Sequence, residues 1–188
     1  MSLLVSSEIP STGRCIYDSD MQDVVKYVYN HGHQLASHTW HHWDLTTLSW
    51  DQVHDEMWRV EQALQRIVGV TPAVMRPPYG KYNNLVRQVS ANRGQTIITW
   101  DLDSGDSSGY SVQQSEAQYS SLVNRHPNTC IALNHETKES TVREVIPYAI
   151  EQLRNAGYQF ATVAECLNMP AYQRVEDAQT PDGSWTCS

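Results

Sequence analysis

The chain alternates. Segments whose apolar residues recur every three or four positions give way, repeatedly, to short apolar runs bounded by glycine or proline, and few folds accept that rhythm. Met21, Val24, Val25 and Val28 predict a first helix that ends near Gly32, followed by a strand over His33 to Ser37. Ser49 and Gln52 have capping-box spacing. They open a helix striped by Val53, Met57, Val60, Leu64 and Ile67 and closed near Gly69. Pro72 to Met75 reads as a short strand, and Leu85 and Val89 mark a helix stopped at Gly94. Gln95 to Leu102 is the clearest strand, Ser111 to Arg125 a more polar helix, and Thr129 to Asn134 a buried strand. Val142, Val145, Ile146, Ala149, Ile150 and Leu153 predict a last long helix. Pro147 begins its regular part, because proline suits a first turn. Gly157 ends that helix, and Tyr158 to Val163 returns as a strand. At least five strands thus alternate with helices. The prediction is an α/β fold with a parallel sheet, open or closed into a barrel, whose strand C-terminal ends share one side.

At 188 residues the chain fits one domain, expected over 1–170, with a polar tail over 171–188. The net charge of -8 argues against a nucleic-acid partner and against docking on an anionic membrane. No apolar run approaches the ~18 residues of a membrane helix. Trp 6 and Tyr 10 against Phe 1 suit wet, sugar-like or interfacial surfaces, and equally an ordinary use of the rings in the core. Cys15, Cys130, Cys166 and Cys187 form no C-x-x-C pair, which disfavours a thiolate zinc site. The start, MSLLVSSEIP, lacks the basic flank and long apolar run of a signal peptide.

The chemistry-bearing residues follow the predicted strands. Ser37-His38-Thr39-Trp40-His41-His42 follows the first, Arg76-Pro77-Pro78-Tyr79 the second, Asp101 to Asp106 the third, and Leu133-Asn134-His135 the fourth. His38 and His42, four apart, suit two imidazole ligands of one metal, although such a pair is often incidental. Each of the others has a plainer reading. His41 faces solvent, Arg76 anchors a turn, Asp103 and Asp106 accept hydrogen bonds in a Ser-Gly loop, and His135 sits satisfied at a core strand end. If the strands are parallel neighbours, these segments converge on one mouth.

In that order the segments resemble the carbohydrate esterase family 4 polysaccharide deacetylases, the NodB-homology fold, and among them the fungal chitin deacetylases. The metal motif resembles Ser37-His38-Thr39…His42, the R-x-P-Y motif Arg76, Pro78 and Tyr79, and the L-x-H motif Leu133 and His135. The D-x-x-D-W motif is matched by Asp103 and Asp106, with Ser107 in place of the aromatic. Gly157-Tyr158…Thr162-Val163…Glu165-Cys166-Leu167 resembles the family's last strand and helix. The likeness runs from about Gly13 to Leu167.

The resemblance implies a distorted (β/α) barrel of the NodB type and removal of N-acetyl groups from chitin or N-acetylglucosamine oligosaccharides. It implies zinc on His38 and His42, with His135 as general acid tuned by Asp106. Tyr79 would lend its N–H to the oxyanion, and Leu133 would line the acetyl pocket. Tyr79, Trp43, Leu133 and Asp103 would contact substrate. The family opens on an F-D-D-G-like segment that supplies a base and a third metal ligand, and no Asp-Asp pair occurs in this sequence. Arg76, which would orient that base, then has none to orient. The expectation is an incomplete barrel lacking its first strand and helix, impaired activity, and a sheet edge covered by the N-terminal segment or by a second subunit in a homodimer. Asp44, Asp101 and Asp103 are the candidates to replace the missing acid. A non-catalytic carbohydrate-binding relative, stacking Trp40, Trp43 and Tyr79 on sugar rings, and a truncated gene product are the alternatives. By resemblance the protein is secreted or wall-associated, and Cys166 pairs with Cys15 or Cys187.

Overall fold

The structure is a computed structural model that describes the backbone of residues 2–5 and 8–9 and all of residues 14–187. Its elements, in chain order, are β1 (Ser2–Val5), β2 (Glu8–Ile9), β3 (Arg14–Cys15), α1 (Ser19–Asn30), β4 (Gln34–Ser37), α2 (Trp50–Val68), β5 (Val70–Pro72), β6 (Val74–Met75), α3 (Asn84–Asn92) and β7 (Thr96–Ile97). They continue as β8 (Leu102–Asp103), α4 (Val112–Arg125), β9 (Ala132–Leu133), α5 (Ile146–Asn155), α6 (Val163–Leu167) and β10 (Tyr172–Val175). The chain divides into two compact units, Met1–Ile98 with Ala161–Ser188, and Thr99–Phe160.

The larger unit is built on a four-stranded parallel sheet in the order β1-β4-β6-β7. Leu35 and Ala36 on β4 are fully buried, as a parallel strand covered on both faces requires. Helix α2 covers it with the predicted stripe: Val53, Met57, Val60 and Leu64 are fully buried and Ile67 nearly so. Ser49 caps that helix with Gln52 in a reciprocal box, and Gly69 closes it in the left-handed conformation at φ 75°. A Cβ at Gly69 would lie 2.0 Å from the Glu176 carbonyl oxygen, so the close approach itself requires glycine. On α1 the inward residues are Gln22 and Val25, whereas Val24, expected on the stripe, is 48% exposed. Gln22 is held by its Nε2, which donates to the Tyr17 carbonyl.

The smaller unit pairs β8 with β9 in parallel and packs Leu102, Tyr119, Leu122, Val145 and Ala149 together. Its last helix opens through a wide turn over Thr141–Val145 and becomes regular at Ile146, with Pro147 in the first turn as expected. Val142 is exposed and not on the buried stripe.

Parallel strands and helices alternate as expected, and the described residues form no closed barrel. Several elements differ from expectation. Gln95 to Leu102 is not one strand but β7 and β8, each two residues long. β7 lasts only as far as its partner β6, because a strand needs a neighbour. Thr129 to Asn134 contracts for the same reason to Ala132–Leu133, half-buried beside the equally short β8. Tyr158 to Val163 forms no strand. Thr162 instead caps α6 with Glu165, and Val163 is already helical. Residues 171–188, expected as a polar tail, contain β10, which runs antiparallel to β5. They end in Trp185, whose ring lies 5.5 Å from that of Tyr17, and in Cys187, disulfide-bonded to Cys15. That pairing leaves Cys166 free and exposed, contrary to the expected bridge. No helix among the described residues is long and apolar enough to cross a membrane.

Candidate functional site

The loop leaving β4 and the turn leaving β6 lie side by side because their strands are neighbours in register, Ser37 opposite Met75. The Arg76 N–H donates to the Ser37 carbonyl at 2.9 Å, and the His38 ring Nδ1 donates to the Arg76 carbonyl at 2.6 Å. A carbonyl can only accept, so His38 carries a proton on Nδ1. The His42 ring meets the His38 ring edge-on with centroids 4.8 Å apart, and the Tyr79 ring meets His42 at 5.0 Å. The structure thus brings His38, His42, Arg76 and Tyr79 together.

The backbone here is held against its preferences. Thr39, His42 and Tyr79 all have positive φ, at 70°, 59° and 58°. Such conformations cost of order 1–2 kcal/mol in a residue with a Cβ and gather at functional sites. Thr39 is fully buried, and Pro77 and Pro78 leave the turn before Tyr79 little freedom.

His41 and Trp40 differ from expectation. Trp40 is buried, with the Arg59 guanidinium 4.7 Å from its ring centre, so it offers no face to a sugar. His41 is not simply solvent-facing. Its Nδ1 bonds the Glu56 carboxylate at 2.5 Å, and its ring stacks on Trp43 at 4.4 Å and 13°. Trp43 is 49% exposed and Tyr79 63%, so both present aromatic faces outward.

Arg76 is buried, and burial lowers its pKa. Asp44 is engaged elsewhere: the Lys81 ammonium at 2.7 Å, aided by Thr46, holds its pKa down to about 2. Among the described residues no third His, Cys, Asp or Glu joins His38 and His42 in a metal-binding group. The two histidines nonetheless fit the imidazole part of a divalent-metal site. They are adjacent, and His38 has its second nitrogen tied to a carbonyl, the arrangement that orients a ligating imidazole.

In the smaller unit, Asp106 and His135 form a second cluster. The His135 Nδ1 donates to Asp106 Oδ1 at 2.7 Å, and the His135 backbone N–H donates to Oδ2 at 2.7 Å. The Thr141 hydroxyl donates to the same Oδ2 at 2.9 Å. Burial pushes the Asp106 pKa up, but the donors from His135 and Thr141 outweigh it and hold the carboxyl at about 2. The bond to Asp106 in turn raises the His135 pKa against the effect of burial. Asp103 accepts from the Gly105 N–H at 2.8 Å and so serves its own turn, whereas Asp101 accepts from the Ile131 N–H at 2.9 Å and ties its segment to the one that leads into β9. Leu133 is half-buried on β9 beside Asp103. A cavity of about 330 Å³ opens beside Asp103, lined by Asp101, Tyr110, Gln118 and Arg125. Tyr110 packs on Gly105, where a Cβ would come within 2.3 Å of the ring.

Sequence reasoning missed Glu56 and Thr141. A signal existed for Glu56, since a carboxylate three residues after Val53 and one before Met57 interrupts an apolar stripe. Thr141 had none, because its role depends on a long-range contact.

Residues 6–98 match the polysaccharide deacetylase family. A probable peptidoglycan-N-acetylglucosamine deacetylase of Arthroderma benhamiae is 32% identical, over 90% of this chain and 40% of the relative. A chitin deacetylase of Amylomyces rouxii is 34% identical, over 73% of this chain and 34% of the relative. The chain therefore spans well under half the length of these curated relatives. The chitin deacetylase structure from the fungal pathogen Colletotrichum lindemuthianum superposes with a TM-score of 0.79 at 24% identity, covering 100% of this chain and 79% of that one, a likeness of fold.

Proposed function

The chain belongs to the polysaccharide deacetylases, the carbohydrate esterase family 4 with the NodB-homology fold, and from that premise we propose that it hydrolyses N-acetyl groups of chitin or N-acetylglucosamine oligosaccharides, releasing acetate and a free sugar amine. The observation that carries this reading is the His38 ring, oriented at Nδ1 by the Arg76 carbonyl and lying against the His42 ring. Both histidines would hold a divalent cation, zinc by the nitrogen donor set. Bound there, the cation would supply Lewis-acid polarisation and a more acidic water.

The remaining roles belong to the chain itself. The Arg76 carbonyl orients His38. The Tyr79 N–H, turned by the strained Pro-Pro-Tyr backbone, donates to the oxyanion that forms on the acetyl carbonyl oxygen. His135 is protonated more readily than an ordinary imidazole. Its Nδ1–H stays with Asp106, and its Nε2 gives a proton to the departing sugar nitrogen. Trp43 and Tyr79 offer rings for stacking, and Leu133 and Asp103 contact the substrate.

The 188-residue sequence contains no Asp-Asp pair to supply a base and a third ligand. General acid–base help is worth roughly 10²–10⁴ in rate, so this polypeptide alone turns over slowly and retains metal weakly. Equilibrium dialysis against zinc tests the metal assignment. Uptake by the wild type that is lost in His38→Ala and His42→Ala supports it, and equal uptake by all three overturns it.

The exposure of Trp43 and Tyr79 favours a second reading, a carbohydrate-binding domain without turnover. Binding of chitin oligosaccharides with no acetate released under any metal supports that reading against the first.

A further inference from the structure

Helix α2 reaches the histidine loop through Glu56 as well as through Arg59. The Glu56 side chain, on a residue only 2% exposed, accepts the Trp40 N–H at 3.0 Å and the His41 N–H at 2.8 Å on one oxygen. Its other oxygen accepts the His41 ring Nδ1–H at 2.5 Å. A buried carboxylate is costly unless its oxygens are fully hydrogen-bonded, and a helix position between Val53 and Met57 is otherwise one for an apolar side chain. The three donors all come from the short segment between His38 and His42. The ring they fix is the one on which Trp43 stacks.

We propose that Glu56 is a positioning residue: by clamping the backbone at residues 40 and 41 and the His41 ring, it sets the spacing of the His38 and His42 imidazoles and the pose of Trp43. The proposal rests on the reading that His38 and His42 hold a divalent cation. The loop is strained in this shape, and the His38 bond to the Arg76 carbonyl anchors only its start. Thr39 and His42 sit at positive φ on either side of the clamped residues, and without an anchor each would relax towards the right-handed region. Outer-sphere anchors of this kind typically change metal affinity by about 10–100-fold when removed.

Glu56→Gln is the informative variant. Its amide oxygen can still accept the two backbone N–H groups, but its NH₂ then faces the His41 Nδ1–H, donor against donor. The His41 ring must move its proton to Nε2 or turn away, and ¹⁵N NMR of the imidazole reports that change directly. Val60→Ala is the control. It creates a cavity one turn further along the same helix, at a fully buried residue of the apolar cluster that includes Trp40, and removes none of the three hydrogen bonds to Glu56.

The experiment titrates wild type, Glu56→Gln and Val60→Ala with cobalt(II) alone, followed by the visible absorption of the bound ion, with the ¹⁵N spectrum of His41 recorded for each. The expected result is binding by the wild type, unchanged binding and an unchanged His41 signal in Val60→Ala, and affinity at least about tenfold lower with a shifted His41 signal in Glu56→Gln. Equal affinity in Glu56→Gln and wild type overturns the positioning role and leaves the metal reading standing. An equal loss in Val60→Ala also overturns it, because general destabilisation then accounts for the effect. No binding by the wild type overturns both.

Discussion

The Asp106 carboxylate grips His135 at two points, one oxygen on the ring Nδ1 and the other on the backbone N–H, both at 2.7 Å. The amide bond keeps the carboxylate in place, and the ring cannot turn without breaking its own contact with it. The arrangement sets the tautomer, the orientation and the charge of the imidazole together.

Asp106→Asn is expected to lower the His135 pKa towards the ordinary imidazole value, readable by NMR titration of the ring. The His135 pKa is raised in the folded state, so its charge stabilises the fold below about pH 6.5, and that contribution fades as pH rises through the folded value. Asp106 acts at the other end. Held at about 2, it contributes at neutral pH, and the contribution is lost as pH falls below the ordinary aspartate range towards that value. Urea unfolding across this range should show wild-type stability declining at both ends and a flatter profile in the variant. Leaving buried donors unpaired costs of order 1–3 kcal/mol near neutrality. Identical profiles would contradict the assignment.

Tyr79→Gly separates strain from function. Glycine removes a cost of roughly 1–2 kcal/mol at φ 58° and forfeits the edge-on ring contact with His42, of order 0.5–1.5 kcal/mol. The two nearly cancel, so thermal stability should change little while affinity for chitin oligosaccharides falls. Calorimetry of both quantities checks this. A large stability loss with intact binding would show that the ring is structural.

The Cys15–Cys187 bridge closes a loop of nearly the whole chain, at a sequence separation of 172. Long loops gain most from closure in the chain-entropy description, and loss of such a bridge costs about 2–5 kcal/mol. Reduction, or Cys15→Ser, should lower the thermal midpoint markedly, whereas Cys166→Ser should leave it unchanged. The reverse pattern would reassign the pairing.

What could be read from the sequence was local. The Ser49 box, the Gly69 cap and the stripe of α2 depend on residues a few positions apart, and all stand as expected. The motif residues fall at strand ends as the alternation implied, with His38 beside Arg76 and Asp106 beside His135. What escaped was set by distant partners. β7 and β8 end where their short neighbours end, and β-branched residues at Thr96, Ile97 and Ile98 cannot announce that. The final segment read as polar because its anchors, Tyr172, Trp185 and Cys187, are few and widely spaced. Glu56 escaped because a carboxylate on a helix ordinarily reads as solvated.

Acetate release from N-acetylglucosamine oligosaccharides, measured with added zinc, with a chelator, and in the His38→Ala/His42→Ala double variant, tests whether the histidine pair supports amide hydrolysis. Release should be slow, raised by zinc, and abolished by both the chelator and the double substitution. Release that persists unchanged in the double variant would contradict that role.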